Sequence, residues 1–244
     1  MNIALIGYGK MGKAIEEIAL QKGHNIVLRV NDENLEDLTK TNLQLADVAI
    51  EFTIPESAVE NILLCFESRV PVVCGTTGWL DKMNFVEQKC SEMQGTFLTT
   101  TNFSVGVNIF FEINKRLAVL MESHKKYSVE IEETHHTQKK DAPSGTAITL
   151  AQGIIGNSSS KNKWILQRGM ENESGDAASE IPITSKRIDP APGTHLVKYS
   201  SPVDDIEIIH TAHNRKGFAV GALLAAEFIH DKKGIFTMKD VLQF

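Results

Sequence analysis

The run His135-His136-Thr137-Gln138-Lys139-Lys140-Asp141-Ala142-Pro143-Ser144-Gly145-Thr146 crowds imidazole and ammonium groups against a helix start. Pro, Ser and Gly in succession are residues that open helices. The first peptide amides of a helix point outward with the positive end of its dipole. Lys139 and the amides of Gly145 and Thr146 therefore form a receptor for an anion, and a substrate bearing carboxylates suits it. Histidine titrates near neutrality and can give or take a proton there. A solvated charged turn has the same composition. A metal centre needs several converging donors, yet neighbours on a strand point to opposite faces and no third ligand recurs at regular spacing, so no metal site is expected.

A second motif lies at the N-terminus. Gly7-Tyr8-Gly9-Lys10-Met11-Gly12 follows an apolar run and opens a helical pattern. In that setting the first glycine permits a tight turn, the second a close approach to a pyrophosphate, and the third close helix packing. About 20 residues further on, where an acidic side chain can accept from the adenosine ribose, stand Asn31 and Asp32. Asp32 favours NAD, whereas Lys10 and Lys13 can reach a 2′-phosphate, so NADH and NADPH both stand as cofactors. Asp32 also suits a plain turn, Asn31-Asp32-Glu33-Asn34. Gly75-Thr76-Thr77-Gly78 follows another apolar run and is expected to line the nicotinamide side, although a simple strand-to-helix turn would use the same residues.

The elements that must hold these groups alternate in the first half. Strands are expected at Asn2–Ile6, Ile26–Val30, Val48–Phe52 and Pro71–Cys74, and helices at Lys10–Gln21, Glu56–Glu67 and Leu80–Ser91. In the first helix Ala14, Ile15, Ile18 and Ala19 make the apolar stripe, with Lys13, Glu16, Glu17 and Lys22 toward water. After a helix from Val105 through Leu120 the rhythm changes to long strands at Tyr127–Thr137, Glu180–Arg187, Thr194–Tyr199 and Ile206–Thr211, interrupted by a helix over Thr146–Ile155. The stretches Gly156–Lys163 and Gly169–Ser179 read as mobile loops. An apolar helix, Phe218–Ile229, and a Thr237-capped turn, Met238–Leu242, close the chain. This order predicts an α/β protein: a Rossmann-type parallel-sheet domain over 1–104, completed by 214–244, with an inserted α+β domain of mixed or antiparallel sheet over 105–213. The second domain is expected to bind substrate and to oligomerise.

Bulk composition narrows the classes. A formal net charge of -6 argues against nucleic-acid or anionic-membrane partners, which select a basic excess. No apolar run reaches the roughly 20 residues of a membrane span, nothing marks the N-terminus for export, and a cytoplasmic location is expected. Cys65, Cys74 and Cys90 lack CxxC spacing and read as reduced core thiols.

These residues carry a resemblance over nearly the whole chain to the 4-hydroxy-tetrahydrodipicolinate (dihydrodipicolinate) reductase family. The matching segments are Gly7 to Gly12, Glu51-Phe52-Thr53, Gly75 to Gly78, Asn102 to Asn108, His135 to Ala147, Arg215 through Ala222 and Gly234 to Leu242, with HHxxKxDAPSGTA far more specific than the glycine loop. The resemblance implies an NAD(P)H-dependent oxidoreductase that reduces a small cyclic dicarboxylate to tetrahydrodipicolinate in lysine and diaminopimelate biosynthesis, with net loss of water, and a homotetramer built by the second domains' sheets. It further implies His135 as proton donor, Lys139 as the lysine assisting catalysis and gripping substrate, and His136, Gly145 and Thr146 as substrate-binding positions. Gly75, Thr76 and Thr77, with Thr100, Thr101, Asn102 and Phe103, match cofactor contacts. Thr100 and Thr101 stand where small apolar residues or proline are common in the family, which leaves backbone contacts intact; Lys161–Ser179 has no clear counterpart. Two rival readings remain: another small Rossmann reductase such as an aspartate dehydrogenase, which has no need of His-His-Lys before Ser-Gly-Thr, and a non-enzymatic dinucleotide sensor, for which the chain lacks a basic DNA-binding segment.

Overall fold

A computed structural model describes residues 1–167, 178–214 and 216–244. Most of the Gly169–Ser179 stretch, and Arg215, lie outside the described residues. The chain divides into two compact units, one of residues 1–105 with 216–244 and the other of residues 106–215.

The first unit holds β1 (Asn2–Ile6), α1 (Lys10–Gln21), β2 (Asn25–Val30), α2 (Lys40–Leu43), β3 (Val48–Glu51), α3 (Pro55–Glu67), β4 (Val72–Cys74), α4 (Met83–Glu92) and β5 (Thr96–Thr99). The second holds α5 (Val105–Met121), β6 (Ser128–His135), α6 (Gly145–Ile155), β7 (Lys163–Gln167), β8 (Glu180–Arg187), β9 (Thr194–Ser200) and β10 (Asp205–Thr211). The chain returns to the first unit with α7 (Lys216–Ile229), β11 (Gly234–Phe236) and α8 (Met238–Leu242).

In the first unit six strands run parallel in the order β11-β5-β4-β3-β1-β2. Its central strands are apolar on both faces, as a parallel sheet with helices on both sides requires. Ala4, Ile6, Ala49 and Val72 face α3 through Ala58 and Ile62. Ile3, Leu5, Val48, Ile50, Val73 and Leu98 face α7 through Ala219, Ala222, Ala226 and Ile229. The expected cover of the first sheet by the C-terminal helix is therefore present, and it is close: a Cβ on Gly221 would stand 1.7 Å from the Phe103 carbonyl oxygen. β3 stops at Glu51 rather than Phe52, and the helix expected from Leu80 begins as a 3-10 turn, Leu80–Lys82. β5 and β11 were not expected; strands of four and three residues leave too little pattern to separate them from loops.

In the second unit the sheet is mixed, in the order β10-β9-β6-β8-β7, with β6, β8 and β7 parallel and β9 and β10 antiparallel to their neighbours. β7 was not expected; only its first residue, Lys163, falls in a stretch read as loop, and Trp164, Ile165 and Leu166 bond in register to β8. One sheet face, carrying Val129, Ile131, Ile183, Val197 and Tyr199, packs against Phe110 of α5 and Leu150, Ala151 and Ile154 of α6. No helix among the described residues is long and apolar enough to cross a membrane.

Candidate functional site

The site residues fall into two groups, one in each unit. In the first unit a cavity of about 650 Å³ opens at the end of β1, lined by Gly7, Tyr8, Gly9, Lys13, Asn31, Asp32, Glu33, Phe52 and Thr53 among others. Gly7 has φ +95°, and a Cβ there would lie 1.9 Å from the Phe52 carbonyl oxygen. Only glycine fits both the backbone and the space. Gly12, under the turn, would put a Cβ 2.4 Å from the Gly7 carbonyl oxygen, so the helix packs against the loop as the motif demands. Lys10 is exposed and Met11 packs on the core, leaving Lys13 as the cation that lines the cavity. Tyr8 is fixed by its hydroxyl bond to Glu16, itself paired with Arg29. Glu16 is thus clamped rather than turned to water as expected. The Arg29 guanidinium holds its carboxyl below the usual carboxylate range, against the opposing effect of burial.

At the end of β2 the Asn31 side chain is spent on its own turn, accepting from the Glu33 amide at 2.8 Å, while the Asn31 amide donates to Asn34. Asp32 makes no ion pair among the described residues. A cavity of this size, roofed by a glycine turn at a helix N-terminus with a carboxylate at its far strand, fits a dinucleotide.

Beside it lies a buried polar network that sequence reasoning passed over. Glu51 is fully buried at the end of β3. Its carboxylate accepts from the Thr53 amide at 3.1 Å, the Thr53 hydroxyl, the Thr76 hydroxyl at 3.0 Å and the Cys74 thiol at 2.9 Å. Burial and the nearby carboxylate push the Cys74 thiol far up, so it stays a donor. Thr76 therefore serves Glu51 through its side chain, and Gly75 packs against the Phe52 ring, which lines the cavity. Thr77 continues this loop, exposed. Thr100 and Asn102 cap their own loop, Thr101 is exposed, and Phe103 is buried with its ring 5.7 Å from Phe52.

In the second unit strand register builds the site. Along β6 the buried positions are Val129, Ile131, Glu133 and His135, so the face that is apolar core at the strand's start turns ionisable at its end. Register puts His195 of β9 beside Glu133 on one side and Ser185 of β8 on the other, with Arg187 beside His135. α6 begins over this end, and the Ser144 amide donates to both Glu133 oxygens at 3.1 Å. The Ser185 hydroxyl donates to Oε1 at 2.7 Å and Arg187 Nη2 to Oε1 at 3.2 Å. His135 Nδ1 stands 3.3 Å from Oε2, in ion-pair reach but off hydrogen-bond alignment. Burial alone would raise the Glu133 carboxyl; the close His135 imidazole and bonds from Ser144 and Ser185 outweigh it and hold the group well below the usual carboxylate range.

His195 packs edge-on against His135 at 5.1 Å and bonds the Ser144 hydroxyl at 3.2 Å. Burial, then the His135 charge, push His195 down to about 3. Lys139 leaves the strand end half-buried and pairs with both Asp141 oxygens at 2.9 Å. Arg187 staples this loop by donating to the Lys139 and Asp141 carbonyls at 3.3 and 2.6 Å. His136 lies half-buried beyond the end of β6, and Gly145 and Thr146 open α6, where a Cβ on Gly145 would meet no atom within 4 Å.

The structure corrects the count of donors near the paired histidines: Glu133, His135 and His195 have ligand atoms within 4.8 Å of one another. The alternating pattern of β6 could have flagged Glu133, two residues before His135; His195 and Arg187 lie too far along the chain. The carboxylate of this trio is already met by an amide, a hydroxyl and a guanidinium, whose charge opposes a dication.

Comparison with known proteins agrees across the chain. The family model described as dihydrodipicolinate reductase, N-terminus, matches residues 1–103, and that described as dihydrodipicolinate reductase, C-terminus, matches residues 106–242. A 4-hydroxy-tetrahydrodipicolinate reductase of Christiangramia forsetii is 50% identical over 242 residues, 99% of this chain and 98% of that one. A protein of the same name from Alkaliphilus oremlandii is 34% identical over 244 residues, again 99% and 98%. A solved dipicolinate-bound dihydrodipicolinate reductase from Paenisporosarcina sp. TG-14 matches with TM-score 0.75 over 97% of each chain at 23% identity, which establishes a shared fold.

Proposed function

The chain belongs to the dihydrodipicolinate reductase family, and on that premise we propose that it reduces 4-hydroxy-tetrahydrodipicolinate to tetrahydrodipicolinate, in lysine and diaminopimelate biosynthesis. The observation that carries the reading is the set at the end of β6: a histidine braced by a buried carboxylate, a lysine four residues on, and the N-terminus of α6. A bound reduced nicotinamide supplies hydride. The protein's residues handle the charge and the proton.

Reduction of a conjugated imine leaves an enamine-like anion that must be protonated at carbon. With Nδ1 turned to Glu133, Nε2 of His135 is the atom that donates. Lys139 presents a lasting positive charge where the anion forms, and fixed charge of that kind lowers the barrier without reorganising solvent. Its pairing with Asp141 holds it in place before substrate arrives. Gly145 and Thr146 offer amides to one carboxylate and His136 a donor to the other. In the first unit Gly7, Gly9 and Tyr8 would hold the pyrophosphate side, with Gly75 to Thr77 and Thr100 to Phe103 shaping the nicotinamide side.

NADH is the preferred cofactor in this reading, because Asp32 and Glu33 both line the cavity and would repel a 2′-phosphate. In this reading the enzyme works in the cytoplasm as a homotetramer. Edge strand β10 supports association, since its Ile206 and Ile209 are 37% and 58% exposed. Light scattering reads that state directly.

The test is a coupled assay in which the synthase product is supplied and oxidation of NADH and NADPH is followed, with His135→Ala and Lys139→Ala alongside. Wild-type turnover with both variants losing about 10²-fold or more is expected. Unimpaired variants would refute the site, and an inert wild type the function.

A further inference from the structure

We propose that Glu133 is a positioning residue for the reaction: without touching substrate, its carboxylate stands at ion-pair distance from Nδ1 of His135 and so turns the Nε2 edge outward as the donor. The proposal rests on the reading of His135 as proton donor. It starts from a cost. A carboxylate with no exposure forfeits several kcal/mol of solvation unless donors replace water. Glu133 is surrounded by them, and they divide its two oxygens unequally. Oε1 takes the Ser185 hydroxyl and the Arg187 guanidinium, Oε2 faces the two imidazoles, and the Ser144 amide reaches both. Arg187 therefore places a positive charge on the carboxylate without occupying the oxygen that faces His135.

The second imidazole does not compete for the proton. His195 Nε2 lies 3.8 Å from Oε2 but bonds the Ser144 hydroxyl, and its burial disfavours a charge. Its ring, edge-on to His135, also blocks rotation of the donor. At the other edge, a Cβ on residue 193 would sit 3.1 Å from His135 Nε2, so glycine there leaves that nitrogen clear. The charged groups bearing on His135 are thus Glu133 from β6, Arg187 from β8, His195 from β9, and Lys139 with Asp141 from the loop. Of these Glu133 is the acidic group in direct reach.

Glu133→Gln and Arg187→Gln make the test, because the proposal gives them opposite signs. Loss of the carboxylate charge should move the alkaline limb of the kcat profile, where the donor loses its proton, down by about one pH unit or more. Loss of the guanidinium removes a positive charge beside His135 and should move the same limb up. Glu133→Asp should recover part of the Gln shift, and KM for the dicarboxylate should stay within about twofold in Glu133→Gln because that residue meets no ligand. NMR titration of the His135 ring should move with the same signs, and it needs no turnover. An inert wild type would thus sink the function while the ring titration still judged Glu133. Should the Gln variant not fold, the sign of the Arg187→Gln shift decides. An unmoved limb and ring, or shifts of one sign in both variants, overturns the proposal.

Discussion

Glu51 and Glu133 are the same residue type in the same kind of place, fully buried at the carboxyl end of a central strand, one in each unit. Their partners differ. Glu51 is met by an amide, two hydroxyls and a thiol, all neutral, and no cation reaches it among the described residues. Glu133 is met by an amide and a hydroxyl as well, but also by a guanidinium and an imidazole. Neutral donors can only fix geometry, so Glu51 ties the end of β3 to the Thr76 loop. Cationic partners couple geometry to protonation, so Glu133 can set the charge of the group it holds.

The sharpest way to break this contrast is to make the same change twice. Glu133→Gln should lower kcat about 10²-fold at pH 8 and shift the profile as described above. Glu51→Gln should instead leave a buried amide facing donors, cost about 1–3 kcal/mol in denaturant unfolding, and raise KM for NADH while the profile keeps its limbs. A moved limb in Glu51→Gln would erase the distinction between the two carboxylates.

Stability against pH gives the next largest effect. His195 is held to about 3 against an ordinary 6.5, so below pH 6.5 the unfolded chain takes up a proton that the folded chain refuses. Stability present above 6.5 is therefore lost as pH falls toward 3, at up to about 1.4 kcal/mol per pH unit. Glu133, with its carboxyl depressed, gives stability that persists until pH drops below its unfolded value of 4.5. The window from pH 6.5 to 5 belongs to imidazoles, His195 first, with His210, which burial also holds low, adding a slope of the same sign. Urea midpoints of wild type should fall there by the equivalent of about 2 kcal/mol, and those of His195→Gln should stay flatter; equal slopes would mean that His195 charges freely in the folded state. The first unit's cluster contains no imidazole, so no such slope belongs to it.

How much of this was legible in the sequence follows the range of the interactions. The glycine turn, the His-Lys loop and the helix start at Ser144 are contiguous, and each was visible because local geometry demands those residue types in order. Lys13 was recognised only as a possible phosphate contact, since the face a helix turns to a cavity depends on the strand it packs upon. Glu133 was within reach of the alternation in β6, but a glutamate at an inward position looks like a surface residue until its partners are known. Those partners, Ser185, Arg187 and His195, are brought in by the parallel β6–β8 and antiparallel β6–β9 registers, which no short pattern encodes. The same holds for β7, whose identity as a strand is set by β8. Glu51 stands in a matching family segment without a legible role, because besides its neighbour Thr53 its donors, Cys74 and Thr76, lie 23 and 25 residues away.

Cofactor choice tests the first unit in the same spirit. If Asp32 acts by charge at the cavity wall, Asp32→Ser should shift the ratio of kcat/KM for NADH over NADPH toward NADPH by about tenfold, roughly 1.4 kcal/mol. An unchanged ratio would move the selectivity to Glu33 or Lys13.

Gly193→Ala probes the second unit with the smallest change. The added methyl would lie 3.1 Å from His135 Nε2 and 3.3 Å from its Cδ2, a contact the ring relieves only by tilting a few tenths of an ångström. On one side His195 opposes that movement; on the other the ring would swing toward Glu133, shortening the Nδ1 contact. The alanine would also strain the backbone, since Gly193 has φ +156°, and Nε2 would leave its direction of donation; misplacement on that scale costs rate rather than binding. We expect kcat to fall several-fold and Tm by a few degrees, with both KM values nearly unchanged. A fall in Tm without loss of kcat would show that the ring's orientation, and hence the hold of Glu133 upon it, matters less than its charge.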